Sequence, residues 1–229
     1  MNFENVNWHY FPLKLWSVKK RIKSCFVLYK GKPKGQIILT LWKKLEKHQK
    51  DAQKIGIKQT ILIGTDSDVF GDCMNLTNSE IAPVKEDSYC IRERLFINLD
   101  KGVYPNLIFL FLTIHPEEIA KSIPEKWLTD MPGNVMFGTS GNSHNEIATN
   151  ISRMSNAPGA KFILVQPDYT RLDLYDILKA NKVELVIQGD RFQSDLKVVD
   201  FDGLWKIRDD ANRSKVQYYF KHENLLFGN

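Results

Sequence analysis

The chain is short of the residues that build metal clusters and disulfide frameworks. It has three cysteines, Cys25, Cys73 and Cys90, and no CxxC pair. That spacing argues against a zinc knuckle or a thioredoxin-type site. The odd count argues against a disulfide framework, so reduced thiols are expected. Long apolar runs are missing too. The longest, Leu107-Ile108-Phe109-Leu110-Phe111-Leu112, has the length of a buried strand and falls far short of the roughly 18 residues that cross a bilayer. No membrane partner is expected. The first residues, MNFENVNWHY, are acidic and aromatic rather than basic and then apolar, so they do not read as a signal peptide, and a cytoplasmic location is expected. Several catalytic signatures are absent. Neither GKPKG nor GTSGN is a GxxxxGK[ST] phosphate loop, and there is no HxH, HExxH or GxSxG.

What is present suits one α/β domain: 229 residues, with 43% of them hydrophobic. Charge is unevenly spread. Residues 1–58 carry 14 Lys/Arg against 3 Asp/Glu, and the remainder carries 18 against 24. A basic N-terminal quarter on an acidic body fits a polyanion partner such as nucleic acid, through Lys19, Lys20, Arg21, Lys23, Lys30, Lys32 and Lys34. The aromatic stretch Trp8-His9-Tyr10-Phe11 beside these lysines could stack bases. A solvated lysine-rich surface accounts for the same charges without a partner.

Apolar runs of strand length alternate with helical patterns. The expected strands are 24–29, 60–63, 107–112, 134–137, 162–165, 183–187 and 216–220. Helices are expected over about 36–55, 91–99, 145–154, 172–180 and 204–211, with shorter turns near 116–120 and 124–128. Residues 71–90 read as an irregular insertion and 1–20 as an N-terminal arm. Strands separated by helices make parallel βαβ units, so the expected fold is a parallel (β/α) repeat, forming a partial or complete TIM-like barrel in a single domain.

In such folds ligands bind at the carboxyl ends of the strands. Six expected strands end in polar residues or glycines. The stretch VMFGTSGNSHNE (Val135 to Glu146) is one of these junctions. The resulting candidate ligand-binding rim comprises Asp66, Asp68, Thr113, Ser140, Asn142, Gln166, Gln188, Asp190, Lys221 and His222. Ordinary turns and helix caps use the same Gly, Ser, Asn and Asp, but they explain Gln166, Gln188, Lys221 and His222 less well.

These junctions also carry a family resemblance. In order, LIGTDSDVFGD (62–72), FLFLTIHPEEIAKSIPE (109–125), NVMFGTSGNSHNE (134–146), PGAKFILVQPDYTRLDL (158–174), VELVIQGDRF (183–192) and LWKIRDDANRSKVQYYFKHEN (204–224) resemble a phage-encoded radical-SAM-like family of unknown function. The closing Arg208-Asp209-Asp210 followed by Tyr218-Tyr219-Phe220-Lys221 is the most specific piece. The resemblance implies a radical-SAM-type barrel that binds S-adenosylmethionine across the strand ends, with a [4Fe–4S] cluster on three cysteines after the first strand. The sequence departs from that pattern. The basic KGKPKG loop lies where the thiolates belong, Cys73 and Cys90 lie far downstream of Cys25, and the family's Lys, Arg and Glu are Ile114, His115 and Gln166 here. Cluster ligation needs thiolates that converge on one point, and this spacing gives no sign of it.

The expectation is therefore a barrel that binds a nucleotide-like ligand or nucleic acid without radical chemistry and with no cofactor. The alternative is an active enzyme at the same rim. It would be either radical SAM with an irregular cluster on Cys25, Cys73 and Cys90, or a metal-dependent hydrolase using His115, His144 and His222 with Asp66, Asp68, Asp190 and Glu223. A Ser140–His222–Asp190 triad has no nucleophile elbow behind it.

Overall fold

A computed structural model describes residues 5–13, 16–18, 34–37, 40–65, 68–71, 75–77, 86–165, 172–189 and 201–221. The main sheet has seven strands: β1 (Val6–Leu13), β4 (Lys58–Ile63), β7 (Leu107–Leu112), β8 (Val135–Gly141), β9 (Ala160–Val165), β10 (Val183–Gly189) and β11 (Gln217–Lys221). They lie side by side in chain order, and every adjacent pair is parallel. Sequential parallel order is the topology of a (β/α) barrel, and the sheet is nearly closed into one. A small second sheet holds β2 (Trp16–Val18), β3 (Lys34–Ile37), β5 (Asn75–Thr77) and β6 (Glu86–Asp87) in the order β2-β3-β5-β6. The helices are α1 (Leu41–Ile55), α2 (Ser88–Asp100), α3 (Ile119–Ser122), α4 (His144–Arg153), α5 (Tyr175–Ala180) and α6 (Phe201–Arg213), with single 3-10 turns at Pro116–Glu118 and Glu125–Leu128.

Alternation along the strands divides the core in two. Leu62, Ile108, Leu110, Leu112, Met136, Ala160, Phe162, Leu164, Leu185 and Ile187 form one cluster, with Val6, Trp8 and Tyr219 packed on it. It draws on all seven strands and on no helix, as the interior of a curled sheet must. The other cluster joins Ile61, Ile63, Phe109, Phe111, Phe137, Ile163, Val165 and Val186 to helical residues such as Leu45, Leu95, Ile147, Ile151 and Ile207. All six β7 residues are buried, which is why that strand reads as one unbroken apolar run. Each such side chain removed from water contributes roughly 1.5–3 kcal/mol.

Two sequence expectations are corrected. Residues 6–13, expected within an arm, form edge strand β1: Val6 and Trp8 pack inward, while Leu13 is buried on the helix side. A register shift between Asn7 and Phe11 breaks the alternation that would have marked the strand, and Pro12, which lacks an N–H, is tolerated because the strand lies at an edge. The seventh strand is therefore β1; the expected strand 24–29 lies outside the described residues. The helix expected from 36 begins only at Leu41, because Lys34–Ile37 belongs to β3. In the expected irregular insertion, β5 and β6 contribute to the second sheet.

Candidate functional site

The carboxyl ends of the seven strands meet at one edge, and the inner and outer faces there differ. On the inner face Leu112 and Leu164 are 7% and 5% exposed, and Ile187 is buried. Ser140 lies level with Leu164 and Ile187 and one pleat beyond Leu112, Gly189 lies one pleat beyond Ile187, and both are half-buried. Gly189 pairs with Lys221, the last residue of β11.

The VMFGTSGNSHNE stretch is explained largely by packing and capping. A Cβ on Gly138 would lie 2.4 Å from the Phe162 ring, so glycine there lets Phe162 fill the barrel interior. A Cβ on Gly141 would lie 2.6 Å from Ile147 Cγ1, so glycine there lets α4 close onto β8. The Ser143 side chain accepts the Glu146 N–H at 3.3 Å, and the Glu146 carboxylate accepts the Asn142 N–H at 2.8 Å. Together these bonds satisfy two amides at the start of α4, in the manner of an S-x-x-E cap shifted by one residue. Asn150 Nδ2 donates to the Ser140 carbonyl at 3.0 Å, which ties α4 to the strand end. Within β8, Ser140 is the last residue on the inner face.

Asp68 and Thr113 form a tie between strand ends. The Thr113 hydroxyl lies 2.8 Å from both Asp68 oxygens, and the same carboxylate accepts the Ile114 and Phe70 N–H groups at 2.8 and 2.9 Å. Thr113 is buried, and its oxygen also accepts the His115 N–H at 2.9 Å. These two candidates are thus brought together, but their hydrogen bonds are spent within the protein. Beside Thr113, across the β7–β8 pairing, the buried Thr139 hydroxyl has no hydrogen-bond partner.

Gln188 is fully buried and alternates with inward Ile187, so it shares the helix-covered face with Val186. Its Oε1 accepts the Tyr218 hydroxyl at 2.7 Å. Burial pushes the Tyr218 hydroxyl up to about 12, and the nearby Arg208 guanidinium pulls against that rise. Gln188 therefore belongs to the outer side of the sheet, away from Ser140. Asp66, Gln166, Asp190 and His222 lie outside the described residues, as do Lys19, Lys20, Arg21, Lys23, Lys30 and Lys32, while Lys34 opens β3 in the small sheet.

The described histidines do not gather. His144 Nδ1 lies 2.7 Å from the Asp173 carbonyl; a carbonyl only accepts, so that nitrogen carries the proton and braces the start of α4. Among the described residues no three His, Cys, Asp or Glu side chains converge as a metal site requires. Cys90 sits in the first turn of α2, in the helix layer, and Cys25 and Cys73 lie outside the described residues.

Sequence reasoning missed one brace. Asp210, buried on α6, accepts the Leu174 N–H at 2.9 Å and pairs with Lys206 one turn earlier. At the opposite, amino-terminal end of the sheet, a shallow pocket of about 400 Å³ is lined by Trp127, Met131, Pro132, Pro158, Gly159 and Glu184 among others.

No family model and no curated protein matches the chain. A crystal structure of the YdhT protein from Bacillus subtilis is similar over 80% of this chain and 64% of that one, at 13% identity and a TM-score of 0.43. The chain thus spans about two-thirds of that structure's length. None of the described helices is long and apolar enough to cross a membrane.

Proposed function

We propose that this chain is a radical-SAM-like barrel of phage or prophage type that holds a nucleotide-like ligand at its strand carboxyl ends without radical chemistry. The observation that carries the reading is the edge itself: seven parallel strands in chain order end together, and on their inner face Ser140 lies level with Leu164 and Ile187, one pleat beyond Leu112, while Gly189 lies one pleat beyond Ile187. Ligands of parallel α/β sheets bind at this edge. An apolar inner face that ends in small residues suits a flat base or sugar ring. S-adenosylmethionine is one ligand of this shape. The resemblance motivates it, and Ser140 and Gly189 would border its adenosine. The resemblance also motivates a cluster, to which no step is assigned. The basic residues Lys19, Lys20, Arg21, Lys23, Lys30, Lys32 and Lys34 are proposed to hold nucleic acid or another polyanion.

Calorimetric titration of the full chain with S-adenosylmethionine, S-adenosylhomocysteine, ATP and GTP tests the ligand class. At least one should bind saturably, and Ser140→Trp, which fills the rim, should abolish that binding. No binding by any of the four, or binding unchanged in Ser140→Trp, contradicts the reading. Near-stoichiometric iron and sulfide after anaerobic purification would restore the radical-enzyme alternative. The polyanion partner is tested separately: nucleic-acid binding should weaken steeply with salt and fall when Lys19, Lys20, Arg21 and Lys23 are neutralised.

A further inference from the structure

Two neighbouring turns at the amino-terminal end of the sheet share one design. The chain leaves α1 through Gly56 and α2 through Gly102, both in left-handed backbone, with φ of 67° and 65°. The Gly102 and Val103 N–H groups donate to the Leu99 and Asn98 carbonyls, each at 3.0 Å, which closes the end of α2. In both turns a β-branched residue follows the glycine and lysine flanks it. Lys54-Ile55-Gly56-Ile57-Lys58 leads into β4, and Lys101-Gly102-Val103 leads toward β7. Strands β4 and β7 are hydrogen-bonded neighbours, so the two turns lie side by side.

The apolar tips of these turns face solvent. Ile55, Ile57 and Val103 are 54%, 39% and 45% exposed, and Leu128, ahead of the next strand β8, is 46% exposed. In such a cap the apolar residue after the glycine packs back on its helix, which covers only part of Val103. The loops are braced from behind. Gln49 Nε2 donates to Asn106 Oδ1 at 2.9 Å, and the Asn106 N–H returns a bond to Gln49 Oε1 at 3.0 Å. Asn134 Nδ2 donates to the Tyr104 and Leu107 carbonyls at 3.1 and 2.8 Å. Trp127 Nε1 donates to Asp100 at 3.1 Å. The three entry loops thus form one braced surface that holds its apolar tips outward. Its charge is of one sign around the two turns. Neither 54–58 nor 101–106 contains an acidic residue. The acidic groups nearby in the chain are engaged or displaced: Asp100 pairs with Lys126, while Asp130 and Glu184 line the pocket beyond Leu128.

We propose that this end of the protein docks on an anionic lipid surface, with Ile55, Ile57 and Val103 entering the headgroup layer and Lys54, Lys58 and Lys101 meeting the lipid phosphates. Aliphatic tips set between lysines are complementary to such a surface in both apolarity and charge. A second copy placed symmetrically on this face would set lysine against lysine, and nucleic acid would leave the aliphatic tips without an apolar partner. Crossing a bilayer needs a long apolar run, which the chain lacks; resting on its surface does not. The docking face lies at the opposite end of the sheet from the proposed ligand edge and does not depend on that reading.

The test sediments the full chain with vesicles of equal parts phosphatidylglycerol and phosphatidylcholine, and with vesicles of phosphatidylcholine alone. The chain should bind the anionic vesicles and leave the neutral ones. Ile57→Ser with Val103→Ser should weaken that binding by about tenfold or more, because it removes the inserted groups. Lys54→Gln with Lys101→Gln should weaken it by about as much, because it removes two surface cations. All four side chains are exposed, so both variants should keep the fold. Binding to neither vesicle would overturn the proposal. So would anionic binding that is unchanged in Ile57→Ser with Val103→Ser, which would assign it to bulk positive charge elsewhere on the chain. A dimer in analytical ultracentrifugation that the same variant dissociates would give the face to a second copy and overturn it as well.

Discussion

The Thr113 hydroxyl lies 2.8 Å from both oxygens of the Asp68 carboxylate, and that contact joins the segment after β4 to the end of β7. The carboxylate also takes the Phe70 and Ile114 N–H groups, so it organises two strand ends at once. Asp68→Ala leaves a buried hydroxyl and two backbone donors without their acceptor. It should destabilise the fold by about 1–3 kcal/mol in urea unfolding. A variant as stable as the parent would show that Asp68 is held for a ligand rather than for the scaffold.

Gly138 is where the barrel interior is tightest. A Cβ there meets the flat wall of Phe162, a fully buried ring that cannot swing away. Gly138→Ala should cost about 1–3 kcal/mol, as overpacking does. Phe162→Leu in the same chain should recover part of that loss. Thermal unfolding of the two single variants and the double variant checks the coupling, and strictly additive losses would contradict the contact.

Much of this was legible in the sequence and some was not. The unbroken apolar run 107–112 marked a buried strand, and the helical pattern over about 145–154 marked α4. Strand β1 was hidden because its register shift and Pro12 broke the alternation. The faces of rim residues were hidden as well. Gln188 and Ser140 both follow apolar runs, but one lies under a helix and the other on the inner rim, and only strand register decides which. Asp210 belongs to the most specific motif of the resemblance, yet its contacts are those of a brace between α6 and the start of α5. Such a contact joins residues 36 apart in sequence, and no local pattern announces it.

Thr139 offers a test of the opposite sign. Its hydroxyl is buried without a partner while its methyl sits in the core. Thr139→Val keeps the shape and removes the unmet group. It should stabilise the protein by about 1 kcal/mol, seen as a rise in Tm of about 2–4 °C. A lower Tm would mean that the hydroxyl is hydrogen-bonded in solution.

Tyr218 sets an alkaline limit. Burial raises its hydroxyl to about 12, above the ordinary value of 10.0, so the folded state favours the neutral phenol. That contribution is complete below about pH 10, where the phenol is neutral in both states, and it is lost as pH climbs toward about 12. Burial raises the Tyr104 hydroxyl as well, so ultraviolet titration should show late-ionising tyrosine absorbance of which Tyr218→Phe removes a part. The fall in stability between those pH values should be shallower in that variant. Ionisation of Tyr218 together with the exposed tyrosines would contradict its burial.

The account rests on where a ligand sits. Amide shifts across the whole chain, recorded during titration with whichever nucleotide binds, decide it directly. The account predicts the largest shifts at Leu112, Ser140, Leu164 and Gly189, at the carboxyl ends of β7 to β10. Shifts centred instead on Met131, Gly159 and Glu184, around the pocket at the opposite end of the sheet, would contradict it.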